Sequence, residues 1–381
     1  MTFQYITTQQ QLLVCIKKIN AVSEISVDLE FDKNRYRYGF NLCLLQIKAG
    51  DEIFLIDPLG DDFDIKPVFE PLENPTIQKV VYAFGEDIRL LHTLGCYPKN
   101  LFDIVIQTRL IDYPAISLTN LLLEEQGIEC SKSSQKSNWF KRPLSDQQLT
   151  YAAEDVTFLI ELRNQIREKC SDELGEYITE ENHQYEVIDY AETKASNGLK
   201  DKDKKDLTEY QWYIYNGLMN FREQVASEVN RPSFFVLDKE YLREVAIDHA
   251  QLKRWKQLKT VYRNLHNSEF KARIQECLKD LISETRELKL STTGSAVKRL
   301  TNAEFNKLKS NRQEKDKLIA DVLKPIHQCI IRDYGENTAS FMLSNRIMQH
   351  IAYSGLERLP NYRQTLIQKY AKELGVTVTV N

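Results

Sequence analysis

Strand-type patterning in this chain is confined to four short runs, Ile25–Glu30, Leu42–Lys48, Ile53–Asp57 and Gln78–Ala83, and from about residue 186 onward it nearly vanishes. Each run is apolar or alternating and of strand length. Segments with helical periodicity, notably Asp87–Leu94, Ser117–Glu125 and Ser145–Lys169, lie between and after them. Strands that come early, with helices mostly later, do not fit the strict alternation of a doubly wound parallel sheet. They predict an α/β domain with a mixed sheet flanked by helices, followed by all-α structure. The pattern divides the chain into an α/β domain over 1–185, a linker over 186–206, a helical domain over 207–286 and a second over 300–381. The linker contains the small, polar, charged stretch Ala195–Lys205. A weak repeat relates the helical domains: Ser233–Ala246 resembles Ser340–Ala352 once a gap is allowed.

Several function classes drop out early. No apolar run approaches the roughly 18 residues of a membrane span, and the first ten residues have neither the basic nor the apolar region of a signal peptide. Seven scattered cysteines contain no Cys-x-x-Cys pair, which argues against a zinc site or a disulfide framework and for a reducing cytoplasm. The net charge of −4 hides a split: residues 1–200 carry 20 Lys+Arg against 32 Asp+Glu, and residues 201–381 carry 31 against 23. Acidic groups with a local task, joined to a half that meets a polyanion, would produce that split.

Three acidic motifs carry the chemistry. In Val27-Asp28-Leu29-Glu30-Phe31, strand alternation puts Asp28 and Glu30 on one face. Two adjacent carboxylates repel unless a cation lies between them, and hard oxygen ligands favour Mg²⁺ or Mn²⁺. Asp87 follows a turn at Gly85 in a first helical turn, where the helix dipole alone would favour it. Tyr151 and Asp155 are one helical turn apart, and Ala152 and Ala153 keep that turn slim enough to press on a sheet. Each motif alone is compatible with ordinary surface or core structure. Together they describe a two-metal phosphoryl-transfer site, with the tyrosine hydroxyl orienting water.

The order Asp-x-Glu, Asp, Tyr-x-x-x-Asp resembles the DEDD exonuclease superfamily, in the branch with tyrosine in its third motif, and most of all ribonuclease D. Ser137–Val156, Leu55–Leu59 and Leu45-Gln46 match as well, and Gly217–Ile247 resembles the HRDC domain that follows the nuclease there. The resemblance implies an RNase H-like nuclease core with HRDC-like helical domains and two divalent cations, Mg²⁺ or Mn²⁺, without an organic cofactor. It implies 3′→5′ trimming of single-stranded RNA 3′ ends, such as tRNA precursors, with release of nucleoside 5′-monophosphates. It also implies that Asp28, Glu30 and Asp155 hold the first metal, that Asp28 bridges to the second and that Asp87 acts mainly through water. Tyr82 stands where relatives often have histidine, and Asn138 where aspartate is usual.

Basic residues interleaved with aromatics suit phosphate neutralisation and base stacking. On that ground Arg35, Tyr36, Tyr38, Lys132, Trp139 and Arg142, with Lys253 and Arg254 in the helical half, are the candidate substrate contacts. A DNA 3′→5′ exonuclease and a non-catalytic RNA-binding adaptor on the same fold remain the alternatives.

Overall fold

The computed structural model describes residues 2–60, 62–114, 116–130, 134–191, 197–257, 261–297 and 300–378. A six-stranded sheet is built from β1 (Gln4–Ile6), β2 (Glu24–Lys33), β3 (Phe40–Ala49), β4 (Glu52–Ile56), β5 (Gln78–Val81) and β6 (Leu101–Asp103), in the order β1-β4-β3-β2-β5-β6. The pairs β1–β4, β2–β5 and β5–β6 are parallel, whereas β3–β4 is antiparallel. The sheet is therefore mixed, as expected. β1 and β6, three residues each, are additions to the sequence reading; runs so short carry no periodicity.

The chain forms two compact units. One comprises residues 1–30, 42–192 and 302–381; the other comprises 31–41 and 193–301. In the first, the helix Asp146–Thr157 lays Ala152, Ala153 and Val156 on Cys43, Leu44, Ile53 and Leu55. A second cluster joins Val80, Ile104, Leu121 and Leu122 to Leu159, Leu162 and Ile166.

The helices beyond residue 302 share a third core with this unit. Ile106, Leu110 and Ile178 pack with Leu323, Ile326, Ile330, Met342, Ile351 and Tyr370. Polar clasps reinforce it. The Asp112 carboxylate accepts from Asn337 N–H at 2.7 Å and Thr338 N–H at 3.1 Å. Glu181 pairs with the Arg363 guanidinium at 2.5 Å, both of them buried. Gly335, at φ +91°, lies where a Cβ would run into Asp112, so only glycine fits this approach.

The second unit is helical, built on Glu209–Glu228, Lys239–Ile247 and Ser268–Glu287 around Tyr215, Leu218, Trp255 and Ile274. Gly217 lets Leu281 of the facing helix into contact with the Glu209–Glu228 backbone. Part of the expected linker is structured: Asp201–Lys204 forms a helical turn, and Asp203 pairs with Lys239 at 2.9 Å. Residues 192–196 of it lie outside the described residues. Among the described residues no helix is long and apolar enough to cross a membrane.

Candidate metal centre

Val27 and Leu29 turn into the core, so alternation sends Asp28 and Glu30 to the opposite face of β2. Asp155 arrives from the Asp146–Thr157 helix. That helix begins in a reciprocal cap: the Ser145 hydroxyl accepts from Gln148 N–H, and the Gln148 side chain accepts from Ser145 N–H. With methyl-sized Ala152 and Ala153 against the sheet, Asp155 comes down beside the strand acids. Carboxylate oxygens of Asp28, Glu30 and Asp155 lie within 4.8 Å of one another.

Asp87 opens the helix Gly85–Thr93 and is 8% exposed. It stands outside the 4.8 Å trio, yet its charge acts on both Asp28 and Glu30. Its Oδ1 is buried and meets no hydrogen-bond donor among the described residues. An orphaned buried carboxylate oxygen is costly unless something else satisfies it. The turn leading into this helix is held by a residue that the motif reading missed. The Asp103 carboxylate, wholly buried, accepts from Ala83 N–H at 2.9 Å, Phe84 N–H at 3.0 Å, Val105 N–H at 2.9 Å and the Tyr185 hydroxyl at 2.9 Å. It thereby caps its own helix, Ile104–Leu110, and secures Ala83 in a left-handed conformation at φ +56°. The available signal was an aspartate directly before the apolar run Ile104-Val105-Ile106.

Burial pushes the Asp28 carboxyl well above the usual carboxylate range, and the charges of Asp155, Asp87 and Glu30 push it further. Glu30 is raised by burial, then by Asp155 and Asp87. Burial lifts Asp87 to about 7, and it lifts Asp155 to about 7 against the opposing hydrogen bond from Tyr151. The Tyr151 phenol, raised by burial and by the acids around it, stays protonated and donates to Asp155. It is therefore a hydrogen-bonding group and not a base. Buried like charges of this kind call for a cation, and an all-oxygen donor set suits Mg²⁺ or Mn²⁺. These side chains fit a divalent metal.

The other candidates separate. Trp139 is 3% exposed and packs in the core under the Asp146–Thr157 helix, its ring centroid 6.2 Å from that of Tyr151. A large indole beside apolar neighbours gains more from burial than from a wet surface, so it supports Tyr151 and does not stack on a base. Arg142 is likewise committed. Its guanidinium pairs with Asp57 at 2.5 and 2.7 Å and donates to the carbonyls of Trp139 and Cys43 at 2.7 Å. The fork that matched a phosphate has matched a buried carboxylate instead.

Asn138 Oδ1 accepts from Phe140 N–H at 3.0 Å, a bond that an aspartate at this position could also make. Tyr82, in place of histidine, donates its hydroxyl to Ile116 O at 2.5 Å. Lys132 lies outside the described residues. Arg35, Lys253 and Arg254 are exposed on the second unit, and Arg35 sits 5.0 Å over the Tyr36 ring. Tyr38 fastens its loop: its N–H donates to Asn230 at 3.2 Å and its hydroxyl to Glu223.

Residues 3–171 match the family model described as 3′-5′ exonuclease. The chain is 30% identical over 268 residues to ribonuclease D of Bartonella henselae, an alignment covering 66% of this chain and 64% of the relative. It is 34% identical over 165 residues to the exosome complex component 10 homolog of Caenorhabditis elegans, covering 43% and 19%. The chain thus spans less than two thirds of these relatives. Among solved structures, Escherichia coli RNase D superposes with a TM-score of 0.68 at 23% identity, covering 97% of this chain and 100% of that one. That likeness establishes the shared fold.

Proposed function

We propose that the chain is a member of the 3′–5′ exonuclease family whose model its residues 3–171 match, and that it is a two-metal-dependent exoribonuclease releasing nucleoside 5′-monophosphates from RNA 3′ ends. One observation carries the reading: three acids, two from β2 and one from the Asp146–Thr157 helix, bring their oxygens within 4.8 Å of one another. Asp87, with its orphaned oxygen, completes the set of four metal-holding residues. When bound, a pair of divalent cations supplies charge neutralisation for in-line phosphoryl displacement and acidifies the attacking water. Asp28, on which the charges of Asp155, Asp87 and Glu30 all act, would hold metal together with them. Tyr151, which keeps its proton and donates it in a hydrogen bond to Asp155, would accept a hydrogen bond from the attacking water and fix its direction. Burial keeps bulk water away, so these charges act at low dielectric.

RNA is favoured over DNA because the relatives include ribonucleases, and E. coli RNase D is described as an exoribonuclease involved in structured RNA processing. Structured precursors such as those of tRNA are the substrate class we assign, with the two helical segments acting as HRDC-like domains. Arg35 and Tyr36, with Lys253 and Arg254, would neutralise and stack the strand without reading its sequence. Among the described residues, which include all seven cysteines, no disulfide forms, which suits a reducing cytoplasm.

The test is incubation with 5′-labelled single-stranded RNA and DNA in Mg²⁺, Mn²⁺ or EDTA. The expected result is stepwise shortening of RNA that requires metal. Equal shortening of DNA would establish the broader nuclease, and no metal-dependent shortening of either would leave a non-catalytic RNA-binding adaptor.

A further inference from the structure

The helical unit carries two phenylalanines that its own core does not use. In the turn Ser233–Phe235, Phe234 is 51% exposed and Phe235 is 40% exposed, their ring centroids 4.5 Å apart. The next two residues, Val236 and Leu237, are wholly buried. The turn therefore had access to the core and still sends both aromatics outward. The internal repeat supplies a comparison. In its second copy, Met342 is buried, and Phe341 lies under the Arg363 guanidinium at 5.0 Å. The exposed ring pair belongs to the first copy alone.

The segments tied to this turn carry guanidinium groups, and its own Ser233 hydroxyl donates at 2.7 Å to the half-buried Glu223 carboxylate, itself paired with Arg222. Arg231 lies 5.2 Å over the Tyr262 ring and donates to Tyr36 O at 3.4 Å, while Tyr262 N–H donates to Phe235 O at 2.5 Å. The loop with Arg35 and Tyr36, the turn before Phe234 and the Tyr262 segment thus form one continuous surface within this unit. Exposed rings beside guanidinium groups complement unpaired bases on a phosphate backbone, because every base offers a π-face and every linkage a charge. An apolar protein partner would need no such cations.

Resting on the exoribonuclease reading, we propose that Phe234 and Phe235 form a stacking ledge for the bases of single-stranded RNA, with Arg231 and Arg35 holding its phosphates. The test measures anisotropy of a fluorescein-labelled single-stranded RNA in EDTA, with the protein carrying Phe234→Leu and Phe235→Leu, or Phe234→Trp and Phe235→Trp. Leucine keeps the apolar bulk and removes the stacking, so affinity should fall roughly tenfold or more, as for the loss of one stacked base. Tryptophan should retain wild-type affinity. Quenching of a 2-aminopurine base in the RNA should follow the same order. Both variants should melt with the wild type, since the rings are exposed.

Wild-type affinity in the leucine variant overturns the ledge, and metal-dependent shortening of RNA by that same variant would show that the nuclease reading survives. Lost self-association with unchanged RNA affinity identifies the rings as a protein contact and likewise overturns it. RNA binding that follows the predicted order, without any shortening, upholds the ledge and removes the exonuclease.

Discussion

Asp28 is the acid on which the charges of the other three act together, and its substitution is the most informative. Asp28→Asn should lower turnover by about three orders of magnitude, on the scale of losing a principal electrostatic contact to the transition state, and leave RNA affinity within about twofold. Tyr151→Phe removes only an orienting hydroxyl and should cost about 10²-fold in kcat, the scale of a misplaced reactant, with KM little changed; single-turnover kinetics measure both.

The raised carboxyls also set a pH dependence. A group protonated more readily in the folded state stabilises it fully below the ordinary carboxylate value of about 4, and that contribution is lost as pH rises through its folded pKa. Asp87 and Asp155, at about 7 when folded, place the loss between about pH 4 and 7. The melting temperature of metal-free protein should therefore fall over that window, less so in Asp155→Asn, and Mn²⁺ should offset the fall increasingly toward higher pH. The acids and Tyr151 were legible because period 2 and period 3.6 state which side chains share a face. Trp139 and Arg142 were misread because composition cannot distinguish an exposed ring from a buried one, nor a phosphate from a carboxylate. Arg142 finds Asp57 at a distance of 85 residues in sequence, and no local pattern announces that.

Single elements place the site through their packing. The Asp146–Thr157 helix brings Asp155 to β2 because two alanines face the sheet, and the loop before it is tied down by Arg142. Asp57 is almost fully buried, so Arg142→Met would strand its charge at a cost of about 3 kcal/mol. Chemical denaturation should register that loss while RNA affinity stays unchanged, whereas a phosphate contact would show the reverse. At this scale the sequence patterns located the four longer strands and the helices that frame the acids. They passed over β1 and β6. They also ran together the helical stretch Ser145–Lys169, which the structure divides at Phe158 into Asp146–Thr157 and Leu159–Arg167.

At the level of the whole molecule, linear domains do not describe the packing. Residues 302–381 belong to the same compact unit as the sheet, because Ile106, Leu110 and Ile178 bury against them. Uncovering three such side chains forfeits about 5–8 kcal/mol, comparable to the whole stability of a domain. A chain stopped after residue 301 should accordingly bind a hydrophobic dye and aggregate, and recovery of a monodisperse, cooperatively melting protein would contradict this. Amphipathic periodicity shows that a helix has an apolar face but not which partner covers it, so this merger could not be read beforehand. The second unit is discontinuous as well: its loop 31–41 is made early and its helices, 193–301, much later. During synthesis the loop must wait, with Tyr38 lacking Glu223 and Asn230, until those helices emerge. The sheet waits longer still, for segments beyond residue 302. Completion is thus ordered along the chain: the second unit can close once residue 301 has been made, and the first only once the helices beyond residue 302 have joined it.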